Sequence, residues 1–368
     1  MLYSLVYRLV LILSNIPYRC YSLSRNTECN LASNVMFVQG AFVTPPDRYP
    51  MKFFWNSNSN KSLSSPILGP LSSIDERAVQ LFASIDRQNN KSIKFIAHSA
   101  GCNTVLKLIE YLHYHHCGMI KQGLVQNNVD VEDLVTNPNY QILFTEVDGS
   151  PVHISPSYVE KIALVSPPLA GVDLLNNYPA SGNKWSIESI SLAVAHLIEA
   201  VVGENAMLCL NGISNRLHYI RYGPSIFKSL TPERAMKDTE TALAICKLYK
   251  IDAMRVITHY SEQICEREYV KPDAHPVLML YIPMYLETMK RVKSNIDTCS
   301  THDGLISVNS QRFMLGCDCQ YTHDVYECNN CKTVYAHIDH FCISIGNTAR
   351  EVRISEQVWS KVFDYIGA

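Results

Sequence analysis

The stretch IKFIAHSAGCNTVLKLIEYL, residues 93–112, predicts a buried strand, a very tight turn and a helix in immediate succession. Residues 94–96 have the pattern of the end of a short buried strand, and apolar side chains then recur at helical spacing from Val105 to Leu112. Small residues flank Ser99, so the turn can hold this side chain up, away from the sheet, in strained backbone geometry. A serine in that position indicates a nucleophile.

The whole chain has the composition of an ordinary globular protein. It has 368 residues and a formal net charge of −2, so it is long enough to bury a substantial core in one or two domains. It contains neither a basic stripe nor an acidic tail, and we therefore expect no nucleic-acid partner.

The first segment, residues 1–30, is apolar and basic. It carries Arg8, Arg19 and Arg25 and has no acidic residue before Glu28. Arg8 interrupts the apolar run, so the pattern does not predict a full membrane span. Three interpretations stay open: a secretory signal, a mitochondrial presequence, or a helix that covers the sheet. The localisation thus stays open between mitochondrial and secretory or membrane-associated targeting.

Predicted strands alternate with predicted helices along most of the chain. The helix with the clearest pattern covers 72–85, and the elements predicted as extended are 34–42, 93–96, 142–154 (a hairpin around Asp148-Gly149), 159–171 and 276–282. This alternation predicts an α/β fold with a mainly parallel sheet covered by helices on both faces.

One region, residues 176–275, has a helical texture instead. Apolar residues from Ile187 to Val201 form an amphipathic stripe, and Thr231-Pro232 is a typical helix start. We predict that this insertion is a cap or lid over a site at the carboxyl ends of the strands, or else an extra helical layer. It separates a first core part, 31–175, from a second, 276–368.

Ser99 requires a histidine base and a carboxylate to become a nucleophile at neutral pH. For a serine on such a turn, the expected order along the chain is serine, acid, histidine. The segment STHDGLISVNS supplies Asp303, and the segment VYAHIDHFCISIG then supplies His337 and His340. Backbone N–H groups would stabilise the oxyanion, and we predict those of Ala41 and Ala100 for this role.

In these segments the chain resembles the bacterial true lipases of the staphylococcal and thermoalkalophilic type, which have the α/β-hydrolase fold. The matching stretches lie between residues 34 and 346 and are PILGPLSSIDERAVQLFASI, FIAHSAGCNTVLKLI, IALVSPPLAG, HDGLISVNS and HIDHFCISIG. The resemblance implies hydrolysis of lipid carboxylesters, with a lipid ester and a lipid or membrane interface as partners. It favours His337 over His340, because the family's base precedes a hydrophobic residue and an acid, here Ile338 and Asp339.

Several positions depart from the family. Gln39-Gly40 replaces the usual His-Gly, and Cys102 replaces a second glycine after the turn. The thermoalkalophilic zinc site is not carried over, because Glu76 stands at its aspartate position and residues 86–92 contain no histidine. The family's calcium site uses an aspartate shortly after the base, and residues 346–353 contain none. We therefore expect no cofactor for catalysis.

A cysteine-rich hairpin, residues 317–331, separates the acid from the histidines. The chain has 13 cysteines, and four of them form two close pairs here: Cys317, Cys319, Cys328 and Cys331. Four thiolates could hold a structural zinc ion, with no open position for catalysis. A disulfide-stapled hairpin and free thiols are the alternatives.

Taken together, the sequence predicts a lipase-like serine carboxylester hydrolase with Ser99, Asp303 and His337 as its triad. An esterase or thioesterase for a smaller acyl substrate would use the same groups. A non-catalytic lipid-binding protein on the same fold is the rival from another class.

Overall fold

In the residues that it describes, the computed structural model has six strands in one sheet, seven α-helices and two short 3-10 helices, Pro156–Tyr158 and Asn329–Cys331. The described residues are 34–41, 65–66, 68–69, 72–85, 92–119, 155–172, 175, 225–259, 302–316, 324–340, 342–345 and 349–367. The strands are β1 (Val35–Val38), β2 (Ile93–His98), β3 (Val159–Val165), β4 (Asp252–Thr258), β5 (Val325–Cys328) and β6 (Thr333–Ala336). The helices are α1 (Ile74–Ala83), α2 (Ala100–His116), α3 (Ser225–Ser229), α4 (Pro232–Tyr249), α5 (Val308–Gln311), α6 (Cys342–Ile345) and α7 (Ala349–Ile366).

The six strands lie in the order β1-β2-β3-β4-β6-β5. Every neighbouring pair is parallel except β5 and β6. Parallel strands that are buried on both faces carry near-continuous apolar runs, and the segment from Phe95 to Ala97 is such a run. The predicted α/β fold with a mostly parallel sheet and flanking helices is confirmed.

Alternate residues of each strand enter two separate apolar layers. Met36 and Val38 of β1 face the layer that contains α1, α2 and α4, whereas Val35 and Phe37 face the layer that contains α7. The sheet is thus covered on both faces, and its carboxyl edge is the place where loops can assemble a site.

The predicted boundary of the cap is wrong at its carboxyl-terminal part. Within residues 176–275, β4 is a central strand of the sheet, paired with β3 and β6. α4 is also a core layer: it packs on α2, and the buried Lys107 ammonium lies 3.0 Å from a carboxylate oxygen of Asp238. The sequence pattern does not predict β4, because Arg255 interrupts its apolar run. The guanidinium of Arg255 donates to the carbonyl of Phe313 at 2.7 Å.

Several sequence predictions fall on residues outside the described ranges. These are the N-terminal segment, the hairpin 142–154, the helical stripe 187–201, the strand 276–282 and two of the four clustered cysteines, Cys317 and Cys319. Among the helices that are described, none combines the length and the apolar character needed to cross a membrane.

Candidate active site

Ser99 occupies the turn between β2 and α2, as the opening stretch predicts. Its backbone has φ 54° and ψ −132°, an unusual conformation for a residue with a side chain. Its N–H donates to the carbonyl of Val165 at the end of β3, at 2.9 Å. Ser99 stands at the N-cap position of α2, yet its hydroxyl makes no capping bond, so the oxygen is available for another partner.

Two glycines allow the chain to pass close to this turn. A Cβ atom on Gly101 would lie 2.3 Å from the carbonyl oxygen of Val38 and 2.7 Å from that of Gln39. A Cβ atom on Gly40 would lie 2.9 Å from the Cβ atom of Ser99. The loop after β1 therefore rests directly against the serine.

His340 connects Ser99 to Asp303. Its Nε2 lies 2.8 Å from Oγ of Ser99, and its Nδ1 lies 2.8 Å from Oδ2 of Asp303. An ionised carboxylate only accepts hydrogen bonds, so Nδ1 carries the proton. In the neutral ring Nε2 then accepts from the serine hydroxyl, which is the protonation state that a general base requires.

Asp303 is fully buried and held by several donors. Its Oδ1 accepts from the backbone N–H groups of Leu305 at 3.0 Å and Ile306 at 2.8 Å. Burial alone would raise its pKa, but His340 and these hydrogen bonds outweigh burial and hold the pKa below its usual value. The carboxylate is therefore charged at neutral pH and can stabilise a protonated His340.

The other carboxylate oxygen of Asp303 accepts hydrogen bonds from two polar side chains, one at the end of β4 and one at the end of α5. Oδ2 accepts from Oγ1 of Thr258 at 2.7 Å and from Nε2 of Gln311 at 3.2 Å. A hydroxyl has one proton, so Thr258 gives it to the carboxylate and accepts from Ser166, 2.7 Å away. Gln311 also bonds the backbone N–H and carbonyl of Thr258, both at 2.9 Å, and so fixes the end of β4 against the acid.

His98 contacts both the backbone and the ring of His340. Its Nε2 lies 3.2 Å from the carbonyl oxygen of His340, and the two rings are 5.0 Å apart. Burial, followed by the charge of His340, lowers the pKa of His98 to about 3. A neutral ring that faces a carbonyl must carry its proton on that nitrogen, so His98 donates to His340.

The prediction of His337 as the base is wrong in geometry, because the chain places it elsewhere. Its N–H donates to the carbonyl of Asp324 at 2.8 Å, and its Nδ1 lies 3.1 Å from the Arg350 guanidinium. The ring stacks on His259, with centroids 5.4 Å apart. The chain turns after β6, and three residues later the N–H of His340 donates to the carbonyl of Asp303 at 2.8 Å.

The two predicted oxyanion donors belong to the helix that follows Ser99 and to the loop that packs against it. Ala100 is the first residue of α2, where an N–H has no acceptor within its own helix. Ala41 follows Gly40 in the loop after β1 and packs against the apolar cluster that contains Ala100. The chemical roles of both residues stay predictions.

The sequence did not reveal three supporting residues of the site: Thr258, Gln311 and His98. Thr258 ends a strand that the cap prediction concealed. His98 does precede the serine directly, and this position was its one available signal.

Two of the metal predictions concern described residues. Glu76 closes a capping box with Ser73 at the start of α1. Cys328 and Cys331 lie in the described residues, but the other two predicted zinc ligands lie outside them, so that zinc site stays a prediction.

One further group brings three ligand atoms within 4.8 Å of one another: those of Asp339, Cys342 and Glu351. Burial, and then the two neighbouring carboxylates, raise the pKa of the Cys342 thiol far above its usual value. A metal ion bound by this group would have to displace the thiol proton.

The fold is shared with known structures, although the sequence itself matches neither a protein-family model nor a curated protein. The lipase of Staphylococcus hyicus superimposes with a TM-score of 0.51 at 14% identity, over 94% of this chain and 98% of that one. This is a lipase-like α/β-hydrolase fold. EstA from Clostridium botulinum gives a TM-score of 0.51 at 16% identity over 92% of each chain. Lipase 1 from Pelosinus fermentans gives 0.51 at 14% identity, over 89% of this chain and 97% of its own.

Proposed function

We propose that this α/β-hydrolase-fold chain is a serine carboxylester hydrolase that acts on lipid esters. The observation that carries the proposal is the hydrogen-bonded series Ser99–His340–Asp303, with both links at 2.8 Å. A serine, an imidazole and a carboxylate in this arrangement are the groups that acyl transfer requires.

In the first half of the reaction, Oγ of Ser99 attacks the ester carbonyl carbon while its proton moves to Nε2 of His340. The negative charge on the carbonyl oxygen is met by the N–H groups of Ala100 and Ala41. When the intermediate collapses, the C–O bond of the ester breaks and His340 gives its proton to the departing alcohol.

In the second half, water attacks the acyl group on Ser99. His340 takes a proton from the water and returns it to Oγ of the serine, and the carboxylic acid leaves. Asp303 keeps its charge throughout and stabilises the protonated imidazole.

The proposed class of substrate is supported by the names of similar structures. Two of the three structures compared above are named lipases, from Staphylococcus hyicus and Pelosinus fermentans. A lipid ester is therefore the substrate we propose, with an esterase or thioesterase for smaller acyl groups as the alternative to be tested.

The first experiment is intact-mass labelling with a fluorophosphonate, on wild type and Ser99→Ala, with and without a detergent interface. We expect one adduct on wild type and none on the variant. A series of esters of increasing acyl length then separates a lipase from a short-chain esterase. Folded wild type that gains no adduct in either condition would contradict the proposal and favour a non-catalytic lipid-binding protein.

A further inference from the structure

Arg77 is a fully buried guanidinium that contacts the loop beside Ser99. Its Nη2 donates to the carbonyl oxygen of Gln39 at 2.5 Å and lies 3.3 Å from that of Gly40. Its Nη1 donates to the carbonyl oxygen of Gly69 at 2.8 Å. One side chain on α1 thus binds two consecutive carbonyl groups of the loop after β1.

These contacts determine which way the next N–H group points. The carbonyl of Gly40 and the N–H of Ala41 belong to one planar trans peptide group, in which the two bonds point in opposite directions. Holding the Gly40 carbonyl toward Arg77 therefore turns the Ala41 N–H away from Arg77. The same loop has its Gly40 backbone packed against Ser99.

The same guanidinium also reaches the helix that carries the other predicted donor. Nε of Arg77 donates to Oγ1 of Thr104 at 3.1 Å, and that hydroxyl donates to the carbonyl of Ala100 at 3.0 Å. Arg77 is therefore linked to both walls of the proposed oxyanion hole: directly to the loop, and through Thr104 to the first turn of α2.

We propose that Arg77 is a positioning residue that sets the distance and orientation of the two oxyanion donors, Ala41 and Ala100. This inference rests on the proposed function. A guanidinium is suited to the task because its planar fork presents donors in several fixed directions, whereas a lysine ammonium is a single point of charge.

The test compares Arg77→Lys and Arg77→Met with wild type, using steady-state hydrolysis of a soluble p-nitrophenyl ester. We expect kcat to fall about 10²-fold in Arg77→Met, with KM changed less than about threefold, because the oxyanion contact forms only in the transition state. Arg77→Lys should show a similar fall in kcat, although it keeps the positive charge. Millimolar ethylguanidinium should restore part of it in an Arg77→Ala protein.

Arg255→Lys is the matched control. Arg255 is also a buried arginine that donates to a backbone carbonyl, that of Phe313, but it lies in the middle of β4. This variant should lose stability without the selective loss of kcat. An equal loss of kcat in Arg255→Lys, or unchanged kcat in folded Arg77→Met, would overturn the inference.

A second measurement does not depend on activity. Hydrogen exchange of the amides of residues 39–41 should accelerate in Arg77→Lys relative to wild type and to Arg255→Lys. If wild type gained no fluorophosphonate adduct, the proposed function would fail, whereas unchanged exchange in this loop would defeat the role of Arg77 alone.

Discussion

At the scale of single residues, the proposed chemistry depends on the position of one histidine. His337 and His340 are three residues apart, and both follow Asp303 in the order that a serine hydrolase requires. Only His340 lies within hydrogen-bonding distance of both Ser99 and Asp303. The Nδ1 of His337 instead lies beside Arg350. Burial is the largest cause that lowers the pKa of His337, and the charge of Arg350 is the second.

The two histidines therefore predict opposite mutational results. His340→Gln should reduce the rate of fluorophosphonate labelling by about 10²–10⁴-fold, because a general base contributes about that much. His337→Gln should stay within a few-fold of wild type. The measurement is adduct formation against time by intact mass, with circular dichroism to show that both variants are folded. Equal losses in the two proteins would contradict the assignment of His340.

Thr258 offers a second test at this scale, through the buried acid. Thr258→Val keeps the shape of the side chain but removes the hydroxyl that donates to Asp303 at 2.7 Å. Since a hydrogen bond to a charged group contributes about 1.5–3 kcal/mol, we expect the free energy of unfolding to fall by about that amount.

Urea unfolding measures this change, and Thr241→Val is the matched control. The hydroxyl of Thr241 donates to the backbone carbonyl of Lys237 within α4, so its acceptor is an uncharged group. Its loss should change the free energy of unfolding by less than about 0.5 kcal/mol. Similar values for both variants would mean that the Thr258 hydroxyl does little for Asp303.

At the scale of elements, the junction of β1, β2 and α2 depends on glycine at position 101. Gly101→Ala would put a Cβ atom 2.3 Å from the Val38 carbonyl oxygen, and backbone cannot move aside as a flexible side chain can. We expect a loss of about 1–3 kcal/mol or more in unfolding free energy, together with slower labelling of Ser99.

Gly316→Ala is the control for that substitution. Among the described residues, no atom lies within 4 Å of the position that its Cβ would occupy. Its effect on thermal unfolding should be small. A Gly101→Ala protein as stable and as reactive as Gly316→Ala would contradict the close approach of α2 to β1.

The elements that the sequence predicts well are those whose signal is local. β2 and α2 follow from a short apolar run, a small-residue turn and a helical stripe, all within twenty residues of each other. β4 was missed because Arg255 lies mid-strand, where its guanidinium is satisfied by a carbonyl from a distant segment. No pattern within the strand reveals that partner.

The choice between His337 and His340 failed for a similar reason. β6 ends at Ala336, and beyond it neither a helical nor a strand period fixes the direction of each side chain. The bond from the His340 N–H to the Asp303 carbonyl sets the turn, and the two residues are 37 positions apart. The order of the triad was visible in the sequence, but this register was not.

At the scale of the whole molecule, buried histidines should make stability depend on pH. Burial is the largest cause that lowers the pKa of His98 to about 3, of His259 to about 3 and of His302 to about 4. In the unfolded chain each would titrate near 6.5. Below that pH the unfolded state binds more protons than the folded state, so stability falls as the pH falls from about 6.5 toward 4.

Each of these histidines can contribute up to about 1.4 kcal/mol per pH unit to that slope. His259→Asn should reduce the slope by about this amount, as measured by urea unfolding between pH 4.5 and 6.5. The exposed His116 is the control, and His116→Asn should leave the slope as it is in wild type. An unchanged slope in His259→Asn would mean that this ring is protonated in the folded protein.

The distance along the chain between the reacting groups has a consequence for the life of the protein in the cell. Ser99 and His340 are 241 positions apart. At a translation rate of about 5–20 residues per second, the ribosome makes the histidine roughly 12–48 s after the serine. Throughout that interval Ser99 has no histidine base to activate its hydroxyl, so the growing polypeptide should be unable to attack the esters around it. Catalytic competence would arrive only when β6 has joined the sheet and His340 has reached the serine.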